Sequence, residues 1–149
     1  MDKLRLLDFV FSTVGIIVLS PLFILIALLI KFTSAGSVLF KQQRVGKNGK
    51  DFTLLKFRTM QVNAEAKGQL TVGGKDSRIT KVGYYLRKYK LDELPQLINV
   101  FIGNMSLVGP RPEVRKYVNF YTAEQQKVLL VLPGITDYAS IAFRNENEL

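Results

Sequence analysis

Residues 9–30 read FVFSTVGIIVLSPLFILIALLI, 22 residues without a charge between Asp8 and Lys31. How this run meets a membrane decides the architecture. A straight helix through it would measure about 33 Å at 1.5 Å per residue, enough to cross a hydrocarbon core. Pro21 argues against a plain span, because its ring lacks an N–H and crowds the carbonyl of Ile17; the helix is expected to bend or break at Ser20-Pro21. Ser20 can return a hydroxyl hydrogen bond to a freed carbonyl, which makes such a site tolerable in lipid. Lys3 and Arg5 precede the run and Lys31, Lys41 and Arg44 follow it, and basic flanks favour the cytoplasm. With both ends inside, the segment enters and leaves by one face, as a re-entrant helical hairpin over residues 1–31. A kinked span is the alternative. A signal peptide with small residues near Ser34 and Ala35 is a third, although its apolar region would normally run only about 7 to 15 residues.

The chain has 149 residues, 21 Lys plus Arg against 12 Asp plus Glu, and no Cys, His or Trp. Without Cys or His there is no thiolate nucleophile, imidazole base, Ser-His-Asp triad or ordinary zinc site. Catalysis would have to rest on carboxylates, Lys, Tyr, hydroxyls or a hard metal ion. The length suits one domain, and the missing cysteines fit a reducing compartment. Residues 32–91 carry a net +10, against +1 before them and −2 after. So basic a middle third points to an anionic partner: nucleic acid, anionic lipid or a phosphorylated small molecule.

Beyond the apolar run, Val38 to Val45 and Phe52 to Met60 read as two strands joined by Gly46-Lys47-Asn48-Gly49. Asn48-Gly49 is a hairpin signal because both residues accept positive φ. A short helix is expected from Gln61 to Lys67 and a loop from Gly68 to Ser77. Val82, Tyr85, Leu86 and Tyr89 predict a helix over Thr80 to Lys88, and Leu94, Leu97, Ile98 and Phe101 predict another after Asp92-Glu93, closed by Gly103-Asn104. Glu113 to Tyr121 is expected to be helical, and Thr122 with Gln125 makes a capping-box pattern for a last helix ending before Pro133-Gly134. The expected fold is α+β and mostly helical: the re-entrant hairpin, a β-hairpin and short amphipathic helices at the membrane surface.

Three constellations could carry chemistry. Asp92 and Glu93 are adjacent carboxylates behind the cations Arg87, Lys88 and Lys90. Helical neighbours point about 100° apart, so one could face a substrate and the other a metal, while Asp92 taken alone reads first as a helix N-cap. In Gly109-Pro110-Arg111-Pro112-Glu113, two prolines fix the backbone around one guanidinium, a device for phosphate recognition or a structural turn. Lys56-Phe57-Arg58-Thr59-Met60 places Lys56 and Arg58 on one strand face, as a binding pair or a solvated face. Gly74-Lys75 is no phosphate-binding P-loop, since Asp76 stands where Ser or Thr is needed. Tyr84, Tyr85 and Tyr89 read as core and interface aromatics rather than base-stacking platforms.

These blocks, with Arg78-Ile79-Thr80, Leu91-Asp92-Glu93-Leu94-Pro95-Gln96, Met105-Ser106-Leu107-Val108-Gly109-Pro110-Arg111-Pro112 and Pro133-Gly134-Ile135-Thr136, resemble the bacterial sugar transferase family. These are monotopic phosphoglycosyl transferases that begin glycan assembly on a polyprenyl carrier. The resemblance implies transfer of a sugar 1-phosphate from a UDP-sugar to undecaprenyl phosphate with Mg²⁺, releasing UMP. Asp92 would be the nucleophile forming a covalent phosphosugar intermediate and Glu93 its acidic partner, both as metal ligands. Lys56, Arg58, Arg87 and Arg111 are the candidate phosphate cradle, with Arg144 beside them, and Ser20, Pro21, Pro110 and Pro112 are structural. The expected partners are UDP-sugar, undecaprenyl phosphate and inner-membrane lipid, with no nucleic acid. The location implied is the cytoplasmic face of a bacterial inner membrane. Residues 1–31 would be the membrane segment and 32–149 a catalytic domain that continues further in family members. A membrane-anchored basic module without catalysis, and an inactive scaffold in a glycan-assembly complex, are the competing expectations.

Overall fold

The computed structural model describes residues 3–62, 64 and 76–142. The helix expected from Gln61 to Lys67 and the loop from Gly68 to Ser77 fall largely outside the described residues, and Arg144 falls wholly outside. The architecture is α+β and about half helical.

Helix α1, Lys3–Thr33, contains the whole apolar run with Pro21 inside it. The expected break into two arms is not observed: the segment is a single helix. Ser20 explains how Pro21 is accommodated, because its Oγ donates to Ile17 O at 2.8 Å, the carbonyl that proline deprives of its usual donor. The residues of α1 that touch the rest of the chain fall on one stripe. Arg5, Asp8, Ser12 and Gly15 recur every three or four positions, and after a gap of seven, two helical turns, the stripe resumes in phase beyond Pro21 with Leu22, Phe23, Ile26 and Ile30. The opposite face is apolar and exposed, with Ile17, Val18, Ile24 and Phe32 prominent on it.

Strands β1, Leu39–Val45, and β2, Asp51–Phe57, pair antiparallel from Leu39↔Phe57 to Val45↔Asp51. The turn between them has Asn48 at φ 57° and Gly49 at φ 71°, the positive values anticipated for this dipeptide. Helix α2, Lys81–Lys88, starts at Thr80, whose side chain accepts from Gly83 N at 2.9 Å. It buries Gly83 and Leu86, and a Cβ on Gly83 would collide with Thr59 O, so only glycine lets α2 lie this close. That contact turns Tyr84, Tyr85 and Tyr89 outward, and the core role expected for them is not observed.

Asp92-Glu93 do not begin the next α-helix. They lie in a separate 3-10 turn, Leu91–Glu93, entered through Lys90 in the left-handed region at φ 57°. Helix α3, Gln96–Ile102, begins after Pro95 and closes at Gly103, φ 97°. Strands β3, Ser106–Val108, and β4, Gly134–Thr136, form a parallel pair that periodicity does not reveal, being three residues each. Between them α4, Arg115–Val118, is shorter than expected. The Thr122/Gln125 capping box forms, Thr122 N donating to Gln125 Oε1 at 2.9 Å and Gln125 N to Thr122 Oγ1 at 3.3 Å, but it opens a 3-10 helix, Gln125–Leu130. Helix α5, Tyr138–Ala142, is last.

Two apolar clusters hold these elements. Ile26 and Ile30 of α1 pack with Phe57 and Leu86, and with Leu91 and Leu94 on either side of the carboxylate turn. Phe52 and Leu54 pack with Val100 and Met105. Between helix and hairpin lies Asn99, fully buried, whose Nδ2 donates to Thr53 O at 2.8 Å and whose Oδ1 accepts from Leu55 N at 3.0 Å. The side-chain amide thus pairs with β2 as a neighbouring strand would. Asn99→Ala leaves both backbone groups buried without partners, and a loss of about 3 kcal/mol is expected. Urea unfolding in detergent measures it; a loss below about 1 kcal/mol would mean that water or β2 itself compensates.

Candidate active site

The two carboxylates sit on a turn whose neighbours Leu91 and Leu94 are anchored in the core. Glu93 faces β2, where Lys56 Nζ donates to its Oε1 at 2.8 Å, and Arg111 approaches the same oxygen at 3.8 Å. Burial alone would raise the Glu93 pKa. The charge and hydrogen bond of Lys56 outweigh it, Arg111 and Lys90 add to them, and the net direction is down. Asp92 goes the other way. Burial raises it, Lys56 and Arg87 pull it partly back, and ionised Glu93 pushes it up again. Two adjacent carboxylates thus part in acidity, the pattern of groups with separate tasks.

Arg111 is presented by a loop braced from several sides. Gly109 N donates to Thr136 O at 3.0 Å and Gly134 N to Pro110 O at 3.0 Å. Gly109 and Gly134 approach so closely that a Cβ on either would strike the other strand's backbone, which accounts for glycine in both motifs. Pro112 O accepts from Arg44 Nη1 at 3.1 Å. The Arg111 side chain remains 60% exposed, against 18% for Lys56 and 21% for Glu93, so it is the cation presented outward.

A shallow cleft joins these groups, lined by Arg44, Lys56, Glu93, Gln96, Arg111 and Pro112 among others. Asp92 borders it without lining it. Arg44 is the residue that sequence reasoning missed, counted there only as a basic flank. Its Nε and Nη2 donate to Gln42 Oε1 at 3.1 and 2.7 Å, and its Nη1 lies 3.8 Å from Glu113 Oε2 on the Arg111 loop. The signal that could have found it is its alternation with Gln42 on one face of β1.

Of the other expected cradle residues, Arg87 lies beside the site with its Nε on Thr59 Oγ1 at 3.0 Å. Arg58 is not in the cleft. It lies past the end of β2 and is buried against α1, donating to Ser34 O at 2.9 Å, Ser34 Oγ at 2.8 Å and Ala35 O. The face shared with Lys56 ends with the strand, and carbonyls at a helix C-terminus satisfy a guanidinium. Ser20 and Pro21 are exposed on α1, away from the cleft. Among the described residues no group of three or more Asp or Glu could enclose a metal. Glu93 Oε1 takes both cations, which leaves Oε2 to a metal ion, and Mg²⁺ needs only one or two carboxylates when phosphate oxygens complete its shell.

The site thus combines a carboxylate pair of unequal acidity with a braced, outward-facing arginine, on a domain that carries a long apolar helix. The chain belongs to the bacterial sugar transferase family, whose model matches residues 3–149. It is 42% identical over 140 residues to the UDP-N-acetylgalactosamine-undecaprenyl-phosphate N-acetylgalactosaminephosphotransferase of Aeromonas hydrophila, covering 92% of this chain and 33% of that protein. It is 41% identical over 145 residues to the UDP-glucose:undecaprenyl-phosphate glucose-1-phosphate transferase of Escherichia coli (strain K12), covering 95% and 31%. The exopolysaccharide production protein ExoY of Rhizobium meliloti is 40% identical over 157 residues, covering 95% and 70%. The chain thus spans about a third of the length of two of these relatives and 70% of the other. Neither the family nor these relatives supports a basic module without catalysis.

Proposed function

We propose that the chain is a phosphoglycosyl transferase unit that moves a sugar 1-phosphate from a UDP-sugar to undecaprenyl phosphate at the cytoplasmic face of a bacterial inner membrane. The observation that carries the reading is the divergent carboxylate pair, Asp92 raised and Glu93 held down by Lys56, with Arg111 presented beside it. A carboxylate oxygen of Asp92 attacks the sugar-bearing phosphorus of the donor. The bond from that phosphorus to the bridging oxygen breaks, and UMP leaves with the electron pair. A phosphate oxygen of the polyprenyl carrier then attacks the same phosphorus, restoring the Asp92 carboxylate and giving a polyprenyl diphosphate sugar. Lys56 and Arg111 offset the charge on the transferring phosphoryl oxygens, and Arg44 completes a cationic wall. Glu93 and Asp92 are the residues that would hold Mg²⁺, whose charge would further neutralise the diphosphate. Helix α1 seats the cleft at headgroup depth with both of its ends on the cytoplasmic side, and the glycan begun there is a polysaccharide, O-antigen or glycoprotein.

UMP release tests the reading. Purified chain with undecaprenyl phosphate, Mg²⁺ and a panel of UDP-sugars is expected to release UMP with one or a few of them. Excess EDTA should abolish the release and added Mg²⁺ restore it. No release with any donor would sink the proposal, and release unaffected by EDTA would remove the metal from it.

A further inference from the structure

We infer that Asp8, a carboxylate on the apolar helix α1, is a positioning residue for Arg111, holding the strand that presents the arginine. The inference rests on the function proposed above only for what Arg111 does once positioned. An ionisable side chain on a lipid-facing helix is costly unless it turns inward and is paired. Asp8 does both: it is 7% exposed, and its Oδ1 accepts from Ser106 Oγ and from Leu107 N, each at 3.0 Å.

Those two donors belong to β3, which runs directly into Gly109-Pro110-Arg111. On its β4 side the strand is held by Ser106 N on Pro133 O at 2.8 Å and Gly109 N on Thr136 O at 3.0 Å. Leu107 N is turned to the other edge, where the Asp8 carboxylate stands in for a third strand. A pair of three-residue strands is marginal by itself, so this edge contact decides where β3 sits. Arg5, one turn earlier on α1, donates to Val100 O and to Phe101 O at 2.7 Å, and Phe9 stacks on Phe101 with ring centroids 5.1 Å apart. Arg5 therefore fixes the end of α3 and Asp8 the start of β3, and only Gly103, Asn104 and Met105 lie between. The helix that meets the lipid and the loop that offers Arg111 are joined through one carboxylate.

Because the chain has no cysteine, a nitroxide can be attached at one chosen position in the full chain in nanodiscs. A label at Arg111→Cys is expected to gain mobility when Asp8→Ala is added and to keep its wild-type spectrum with Asp8→Asn, whose amide oxygen still accepts from Leu107 N. A label at Tyr89→Cys, just past the end of α2, should report no change. An unmoved Arg111→Cys spectrum would overturn the inference, and so would an equal change at Tyr89→Cys, the sign of general loosening. Calorimetric titration with UDP adds a second readout. Asp8→Ala should weaken binding about tenfold, but less than about twofold once Arg111→Ala is present, because a residue acting through Arg111 has nothing left to position. Additive losses would overturn it as well. A wild-type chain that ignores UDP would count against the proposed function, while the nitroxide spectra still decide the role of Asp8.

Discussion

Asp92→Asn is expected to cut UMP release by at least about 10³-fold and to abolish the covalent phosphosugar adduct, with no loss of folding stability. The amide keeps the shape of the side chain and removes its nucleophilic oxygen. The stability half follows from the sign of the shift. The folded pKa of Asp92 lies above its unfolded value, so folding favours the protonated form, and the ionised group costs stability wherever pH exceeds the unfolded value. Asparagine carries no charge to bury, and its melting temperature at neutral pH should equal or exceed that of the wild type. Glu93 contributes in the opposite sense: its lowered pKa gives stability that is present above the unfolded value and fades as pH falls through the folded one. The same shifts predict the acid limb of the rate profile. Activity should fall as pH drops through the raised Asp92 value, with the two carboxylates titrating as a coupled pair. Turnover by Asp92→Asn near the wild-type rate would remove the nucleophile from the scheme. A melting temperature far below wild type would leave misfolding as the cause of any loss, and Asp92→Glu, which retains a carboxylate, would then serve as the second variant.

How much of this was legible in the sequence depended on the range of the interaction. The β-hairpin, its Asn48-Gly49 turn and the Gly103 stop are set by residues within a few positions of each other and form where expected, except that β2 ends at Phe57 rather than Met60. The parallel pair of β3 and β4 is not legible, because three residues are too short to show a period and the partners are 28 positions apart, as Ser106↔Gly134 records. The start of α3 was misplaced for a related reason: a left-handed Lys90 carries no compositional signal, and it diverts Asp92-Glu93 into their own turn. Within the site, the types of residue were readable and their partners were not. Lys56 and Arg58 alternate as a strand pair should, yet the strand ends between them, sending Lys56 to Glu93 and Arg58 to the end of α1. Asp8 looked like the mere boundary of an apolar run. Its role as an edge for β3 depends on donors 98 and 99 residues away.

A cysteine placed near the amino terminus, Asp2→Cys, is expected to be silent to a membrane-impermeant maleimide in intact spheroplasts and fully labelled after lysis. The argument is geometric. A 31-residue helix is about 46 Å long if straight, more than a hydrocarbon core requires, so length and composition alone permit α1 to cross. Its bonds do not favour a crossing. Near its start, Arg5 and Asp8 are bonded to α3 and β3; just past its end, Ser34 and Ala35 accept from Arg58. A spanning helix would put one of these sets across the bilayer from the body it is bonded to. Arg5 and Asp8 would then need new partners, and the carbonyls of Val100 and Phe101 and the N–H of Leu107 would lose theirs. The inward stripe also keeps its phase past Pro21, so lipid meets only the outer face, where Ile17, Val18, Ile24 and Phe32 project. Such a helix is expected to lie against one leaflet, which under the proposed function would hold the carboxylate turn near the headgroups, within reach of a polyprenyl phosphate. Tyr138→Cys, on the far part of the chain, should share the labelling behaviour of Asp2→Cys. Rapid labelling of Asp2→Cys in intact spheroplasts, with Tyr138→Cys still protected, would establish a span and detach the amino-terminal contacts from the membrane-bound state.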